Sequence, residues 1–204
     1  MTLRIRPDQT VILTAPIRLS DKRIQDFLED KKTWIEKKLS EFAKTKSAIE
    51  VNAGQLLLHG QAYNLQIDLD LKKKVVIDHV EMIIRSGIDL QNQIIQHKRY
   101  KSYAKEFLKG RLDRLALHHG FAYRALKITN AKTRRGSCSA QKNIGLHRKL
   151  VKMPDFVMDY VICHELAHLE QMNHSPDFRA VVDRMIDNKK QAIAWMKRYG
   201  FSLY

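Results

Sequence analysis

The chain has 204 residues, of which 37 are Lys or Arg and 22 are Asp or Glu, so its formal net charge is +15. With 8 glycines, 4 prolines and 44% hydrophobic residues, the composition excludes collagen-like, linker-dominated and disordered proteins and favours a helix-rich globular one. The length predicts one domain of ordinary size, or one domain with a small appendage.

The cysteine count and the hydropathy pattern predict a cytoplasmic protein. Cys138 and Cys163 are the only two cysteines, too few for the disulfide framework of a small secreted domain. The N-terminus lacks the continuous apolar core of a signal peptide. No stretch approaches the roughly 20 apolar residues of a membrane span, so we expect no membrane partner.

Residues 1–90 predict a small N-terminal mixed α/β unit. Two short apolar runs around a Pro-Asp turn predict a hairpin over residues 3–16. Apolar residues at helical spacing predict a helix over 21–44. Short strands are then predicted at 56–58, 63–67, 75–77 and 82–84.

Residues 91–204 predict a second domain that is richer in helix. A long helix is expected over 92–119, followed by a strand at 125–129, a polar loop at 132–142 and a strand at 144–147. Three further helices are predicted at 154–171, 177–186 and 188–199.

Nearly all of the excess charge lies in one segment, because residues 91–153 hold 16 basic and 2 acidic residues, a net charge of +14. Four lysines of this segment fall along one side of the long helix and are candidate polyanion contacts: Lys98, Lys101, Lys105 and Lys109. The alternative is a solvated helix face that serves solubility.

The helix over 154–171 contains the pattern HExxH at residues 164–168. His164 and His168, four positions apart, lie on one face of a helix, so both imidazoles can reach a single zinc ion. Glu165 lies about 100° round the helix, where a carboxylate can take a proton from metal-bound water. The pattern predicts one zinc ion per chain.

A catalytic zinc site usually has three protein ligands. His174, six residues after His168, is the favoured third ligand because of its proximity and its imidazole. Asp183 and Asp187 on the next helix compete with it. A structural zinc is the other alternative. Its fourth ligand would be Cys138, reaching in from the loop, because Cys163 points to a different face of the helix.

Other residues are candidates for substrate or transition-state contacts. Tyr160 lies one turn before His164 and could stabilise an oxyanion, although an aromatic residue there is more often part of the core. His147, Arg148 and Arg135 are further candidates. Cys138 has no assignable His or acidic partner, so we expect a structural role for it.

Several short motifs together resemble the YgjP-like zinc metallopeptidases, which are related to the SprT and WLM groups. The motifs are the Gly136–Ser139 loop (GSCS), the short strand at 144–146, the HExxH helix, and His174-Ser175 with Phe178. The resemblance is strongest over residues 132–178. Arg135 departs from it, since the family typically has Trp at this position.

The resemblance implies an α+β fold, in which a zincin-like domain over residues 91–204 packs its active-site helices on a small sheet. It implies His164, His168 and His174 as zinc ligands and Glu165 as the general base. In zincins the strand before the active-site helix pairs with the substrate, so Asn143 and Gly145 are candidate substrate contacts.

The function predicted is therefore that of a zinc metallopeptidase, in which Glu165 activates a zinc-bound water to hydrolyse a protein or peptide substrate. The alternative is a nucleic-acid-associated protein with a structural zinc, in which the basic segment 91–153 binds DNA or RNA.

Overall fold

A computed structural model of the chain describes residues 1–5, 9–49, 51–131 and 134–200. The predicted α+β class is confirmed, with helices and small sheets in alternation along the chain. The chain divides into two compact units, one that runs to residue 50 and takes in the residues from Lys197 onward, and one of residues 51–196. The predicted domain boundary at residue 90 stays a prediction.

The first unit contains a hairpin and a long helix, as predicted. Strand β1 (Thr2–Ile5) pairs antiparallel with β2 (Val11–Thr14). Part of the predicted turn, residues 6–8, lies outside the described residues. Helix α1 (Asp21–Ile49) follows and extends beyond its predicted end at residue 44.

The second unit begins with a four-stranded sheet in the order β3-β4-β6-β5. Its strands are β3 (Gln55–Leu58), β4 (Gln61–Ile67), β5 (Val75–Asp78) and β6 (Ile83–Ser86). Helix α2 (Gln93–His119) comes next. The Tyr100 hydroxyl donates to the Leu57 carbonyl at 2.8 Å, which ties α2 to β3.

A three-stranded sheet and three helices follow, and the last helix extends past Met196, where the second unit ends. The strands β7 (Ala125–Thr129), β8 (Gly136–Cys138) and β9 (Asn143–His147) have the order β7-β9-β8. A 3₁₀ helix at Arg148–Lys152 leads to α3 (Asp155–Ala167), α4 (Pro176–Met185) and α5 (Lys189–Tyr199). Helix α3 contacts β8, β9, α2 and α4.

Helix α3 is the centre of the core because it is covered on nearly all sides. Val157, Met158, Ile162 and Leu166 have no exposed surface, as expected of a largely apolar helix packed against neighbours on several faces. The neighbouring elements contribute further buried residues, Leu108, Leu112, Ile144, Leu146 and Phe178. No helix in the described part of the chain has an apolar stretch of the length that a bilayer crossing requires.

An ion-pair cluster anchors the N-terminal half of α3 to α2. The Arg111 guanidinium donates to both carboxylate oxygens of Asp159, at 2.5 and 2.8 Å, and lies 3.0 Å from Asp155. The Arg111 side chain is only 8% exposed. This two-pronged geometry restricts both the rotation and the sliding of α3 against α2.

The predicted polar loop at 132–142 is corrected by the structure, which places strand β8 within it. Ser137 of β8 lies opposite Gly145 of β9 in antiparallel register. Glycine and serine have low strand propensity. The strand β8 therefore forms because it pairs with β9, and the local sequence alone would not predict it.

The predicted helix over 154–171 ends early, at Ala167. The amides of Leu169 and Glu170 donate to carbonyls three residues back, at 2.9 and 3.1 Å, so tight turns replace the helix. Residues 168–171 have ordinary helix propensity. The break therefore reflects packing that turns the chain back toward α3.

We expect Arg111→Met to lower the free energy of unfolding by about 3 kcal/mol, because it leaves Asp159 and Asp155 without their cation. Urea denaturation of the purified chain measures this. The control is Lys109→Met, whose partner Asp113 forms an exposed pair and should cost less than about 1 kcal/mol. Equal effects of the two changes would contradict the anchoring role of Arg111.

Candidate functional site

Three histidines meet at the C-terminal end of α3. The potential ligand atoms of His164, His168 and His174 all lie within 4.8 Å of one another. Within the described ranges, no Cys, Asp, Glu or further His joins this cluster. The three residues favoured from the sequence are therefore brought together, although no ion defines their role.

The ring nitrogens are spaced as ligands of one ion would be. Nε2 of His174 lies 3.1 Å from Nε2 of His164, and two nitrogens bound to a tetrahedral zinc lie about 3.3 Å apart. Two lone pairs at this distance repel each other unless a proton or a metal ion lies between them. The pair is therefore suited to hold a cation.

His168 is oriented by a backbone carbonyl. Its Nδ1 lies 3.0 Å from the Gln171 oxygen, which can only accept, so Nδ1 carries the proton. The Nε2 lone pair is then directed away from this bond and is available to a metal. The tight turn after Ala167 supplies this carbonyl. The same turn therefore ends α3 early and orients His168.

The Phe178 ring packs against all three residues of the histidine cluster. Its ring stacks on His168 with centroids 4.4 Å apart and meets the edges of His164 and His174 at 4.9 and 4.8 Å. The Ser175 hydroxyl caps α4 by accepting from the Phe178 amide at 3.2 Å. The cap fixes the start of α4 and with it the position of the ring.

Electrostatics favours neutral imidazoles, the form that binds a metal. Burial, together with neighbouring charge at His168 and His174, lowers the pKa of His164 to about 4. Burial also lowers the pKa of His168. Three neutral imidazoles form the donor set of many catalytic zinc sites, so the residues present fit zinc.

The competing ligands lie outside the cluster. Asp183 and Asp187 do not join it, and Asp183 instead pairs with Lys189 at 2.5 Å. Neither Cys138 nor Cys163 joins it either, which disfavours a structural zinc with a fourth protein ligand.

Glu165 is buried beside the cluster. It is 6% exposed, and burial raises the pKa of its carboxyl group to about 7. A Cβ atom added to Gly136 would lie 2.6 Å from Cγ and Cδ of Glu165, so only glycine allows β8 to pass this side chain. Gly136 thus holds open the space that the carboxylate occupies.

The two cysteines are free thiols with no sign of activation. Burial and the charge of Glu165 raise the pKa of Cys138, and burial raises the pKa of Cys163 to about 12. Both effects disfavour the thiolate, the nucleophilic form. The structural role expected for Cys138 agrees with this.

The strand β9, expected to be the edge beside the substrate, lies in the middle of its sheet. Lys127 of β7 and Ser137 of β8 flank Gly145 on its two sides. Asn143 and Gly145 therefore lack an open side for a substrate strand, because short β8 covers the side expected to be free. The described edge next to α3 is β8.

His147, Arg135 and Tyr160 differ in their access to the site. His147 is 1% exposed, and its Nδ1 accepts from the Lys149 amide at 3.0 Å as a helix cap, which leaves little of its surface open to a substrate. Arg135 is half-buried at the start of β8. Tyr160 is half-buried with its ring centroid 6.0 Å from that of His164, and its role stays a prediction.

The four lysines of α2 form an exposed row, as their spacing predicts: Lys98, Lys101, Lys105 and Lys109. Lys109 is engaged in an ion pair, with its ammonium 2.6 Å from Asp113. A polyanion contact at this row stays a prediction.

Sequence reasoning did not assign roles to Gly136, Gln171 and Phe178. A glycine in a short polar stretch carries no signal of a close approach, and the Gln171 contact uses a backbone oxygen that every residue has. Phe178 was already part of the family motif, and its packing role could have been inferred, because the Ser175-Pro176 cap places it at the third helical position, facing the histidines.

The chain was compared with known protein families and structures. The chain matches the family model of YgjP-like proteins, described as a metallopeptidase domain, over residues 1–199. It is similar to the crystal structure of the metallopeptidase zymogen abylysin of Pyrococcus abyssi, with 22% identity and a TM-score of 0.40, covering 45% of this chain and 97% of that one. No curated protein matches the chain. The family model spans the histidine cluster and Glu165.

We expect the purified chain to bind one zinc ion, and His164→Ala, His168→Ala and His174→Ala each to lose it, because two imidazoles hold zinc poorly. Elemental analysis after dialysis measures the content. Asp183→Asn is the control and should keep the metal. Full zinc content in His174→Ala would contradict the assignment of the third ligand.

We expect Gly136→Ala to destabilise the chain by about 1 to 3 kcal/mol, because the new methyl group overlaps Glu165. Gly110→Ala is a matched control in α2, where an added Cβ meets nothing within 4 Å, and it should stabilise by about 0.5 to 1 kcal/mol. Thermal and urea unfolding distinguish the two. A Gly136→Ala chain as stable as the original would refute the close packing.

Proposed function

The chain belongs to the YgjP-like metallopeptidase family, and on this premise we propose that it is a zinc-dependent peptidase in which Glu165 moves the protons of peptide hydrolysis. One observation carries the proposal. A cluster of three imidazoles without a fourth protein ligand in the described chain lies next to a buried carboxyl group. A structural zinc site requires the fourth ligand and does not require a neighbouring carboxyl group.

His164, His168 and His174 would hold the zinc ion. When bound, zinc supplies a Lewis acid that polarises a carbonyl oxygen and lowers the pKa of water. Phe178 keeps the three rings in place, and Gln171 fixes the tautomer of His168. This support matters because ligand orientation governs metal affinity.

Glu165 would act as the general base and then as the general acid. A carboxyl group with a pKa of about 7 accepts a proton near neutral pH and can return it, as proton transfer in both directions requires. A carboxylate oxygen of Glu165 would accept the proton from water and then deliver it to the nitrogen of the departing amine. The missing side chain of Gly136 leaves the space beside β8 that this carboxylate occupies.

The edge strand β8 would align the substrate. In the described part of the chain β8 pairs with β9 alone, so the backbone groups on its other side can pair with an extended peptide. Such a peptide would pass beside Glu165, because Gly136 of β8 touches that side chain. This replaces the role that the sequence suggested for Asn143 and Gly145.

Tyr160 is the proposed stabiliser of the oxyanion. Burial and the charges of Glu165 and Asp183 raise the pKa of its hydroxyl, so it remains a proton donor at neutral pH. Its position one turn before His164 supports this role.

The substrates would be proteins or peptides. A cytoplasmic location stays a prediction, supported by the two free thiols. Nucleic-acid binding through the lysine row of α2 also stays a prediction, because many exposed basic rows are merely solvated.

We expect Glu165→Gln to reduce cleavage of a disordered protein such as casein by about 100-fold or more, because the amide cannot accept the proton. Its zinc content should stay at one ion per chain. Glu170→Gln is the matched control, because this exposed residue pairs with Arg184 and should keep full activity.

Chelation of zinc should abolish cleavage by the original chain, and added zinc should restore it. A Glu165→Gln chain that cleaves at the original rate would disprove the proposed role of Glu165. A chain that binds zinc tightly yet cleaves nothing would favour the structural-zinc alternative.

A further inference from the structure

The sheet beside the proposed site is built from a segment without acidic residues. Between Asp113 and Asp155 the chain has no Asp or Glu, and residues 114–154 contain 10 Lys and Arg residues. This segment forms β7, β8, β9 and the 3₁₀ helix that precedes α3. The segment therefore contributes only basic charged side chains to the surroundings of the edge strand.

Basic residues lie at the N-terminal end of β8. Arg134 and Arg135 directly precede the strand, and the Arg135 carbonyl accepts from the His147 amide at 2.8 Å. Arg148 follows β9 at the same end of the sheet, where its Nε donates to Asn130 at 3.0 Å. Arg134 is exposed.

Basic residues also lie at the opposite end. Lys142 is in the turn that joins β8 to β9, with its amide donating to the Ser139 carbonyl at 2.8 Å. The Lys142 carbonyl accepts from the Arg124 amide, also at 2.8 Å. Lys142 and Arg124 are both exposed. The edge strand is thus bracketed by cations.

We propose that the site takes acidic polypeptides, with Asp or Glu side chains on both sides of the cleaved bond. The strand β8 is three residues long, so its ends are about 10 Å apart at the rise of an extended chain. A peptide paired with β8 would place residues two to four positions from the cleaved bond within reach of Arg134 at one end and Lys142 at the other. This inference rests on the proposed peptidase function.

The observations favour a polypeptide over a polynucleotide. The cations flank an edge strand whose open side presents backbone N–H and C=O groups. An acidic peptide can satisfy both kinds of group by adding a strand. A phosphodiester chain has no N–H donors along its backbone and would leave the carbonyls of β8 without partners.

The test compares two 12-residue peptides of the same sequence, one with Glu and one with Lys at the positions two to four residues from the cleaved bond. The zinc-loaded full chain should cleave the Glu peptide at least about tenfold better in kcat/KM, through a lower KM. The double change Arg134→Glu with Lys142→Glu should reverse this preference. The double change Lys98→Glu with Lys101→Glu alters net charge equally, on α2, and should preserve it.

Binding to the inactive Glu165→Gln chain separates this inference from the peptidase proposal. Fluorescence anisotropy of the labelled Glu peptide should show binding that Arg134→Glu with Lys142→Glu weakens about tenfold. If this holds while the original chain cleaves nothing, the peptidase proposal fails and acidic-peptide recognition stands. Equal cleavage of both peptides by the original chain would overturn the inference alone.

A thymidine oligonucleotide of 12 residues serves as the second probe. It should bind more weakly than the Glu peptide at the same ionic strength and should not displace it. Tighter binding of the oligonucleotide, with displacement of the peptide, would instead identify the surface as a polynucleotide site and would overturn the inference.

Discussion

A carboxyl group is buried where the edge strand β8 crosses helix α3, and the geometry of the site depends on this contact. Glu165 fits there only because Gly136 has no side chain. Once Glu165 faces β8, the helical period turns His164 and His168 toward the connection that carries His174. The same contact removes water from the carboxylate, which raises its pKa to about 7. Packing and proton chemistry therefore have a common cause.

Helix α3 is held differently at its two ends. Its N-terminal half is joined to α2 by the Arg111 ion pairs with Asp155 and Asp159. Its C-terminal end rests on the ring of Phe178, which contacts all three histidines. A buried helix with an anchored start and a fixed end has little freedom to rotate or slide, which is the preorganisation that metal ligands and a general base require.

Charge and chemistry lie in adjacent parts of the chain. The net charge of +15 arises almost entirely in residues 91–153, while the proposed metal ligands follow after residue 160. The fold brings the basic charge and the proposed metal ligands together, because the segment 114–154 forms the sheet on which α3 packs. The lysine row lies on α2, whereas other basic residues flank β8. These are two features on different elements, although in the sequence they fall in one basic segment.

The sequence predicted the α+β class, most of the helices and the grouping of the three histidines, because helical periodicity and the HExxH spacing are local properties. It did not determine the edge of the sheet, the end of α3 or the role of Gly136. Those depend on pairing between β8 and β9, on the Gln171 carbonyl and on the distance between a strand and a helix. Each of these three features involves backbone groups or the space between a strand and a helix. The types of the residues do not encode these, so the features depend on tertiary packing.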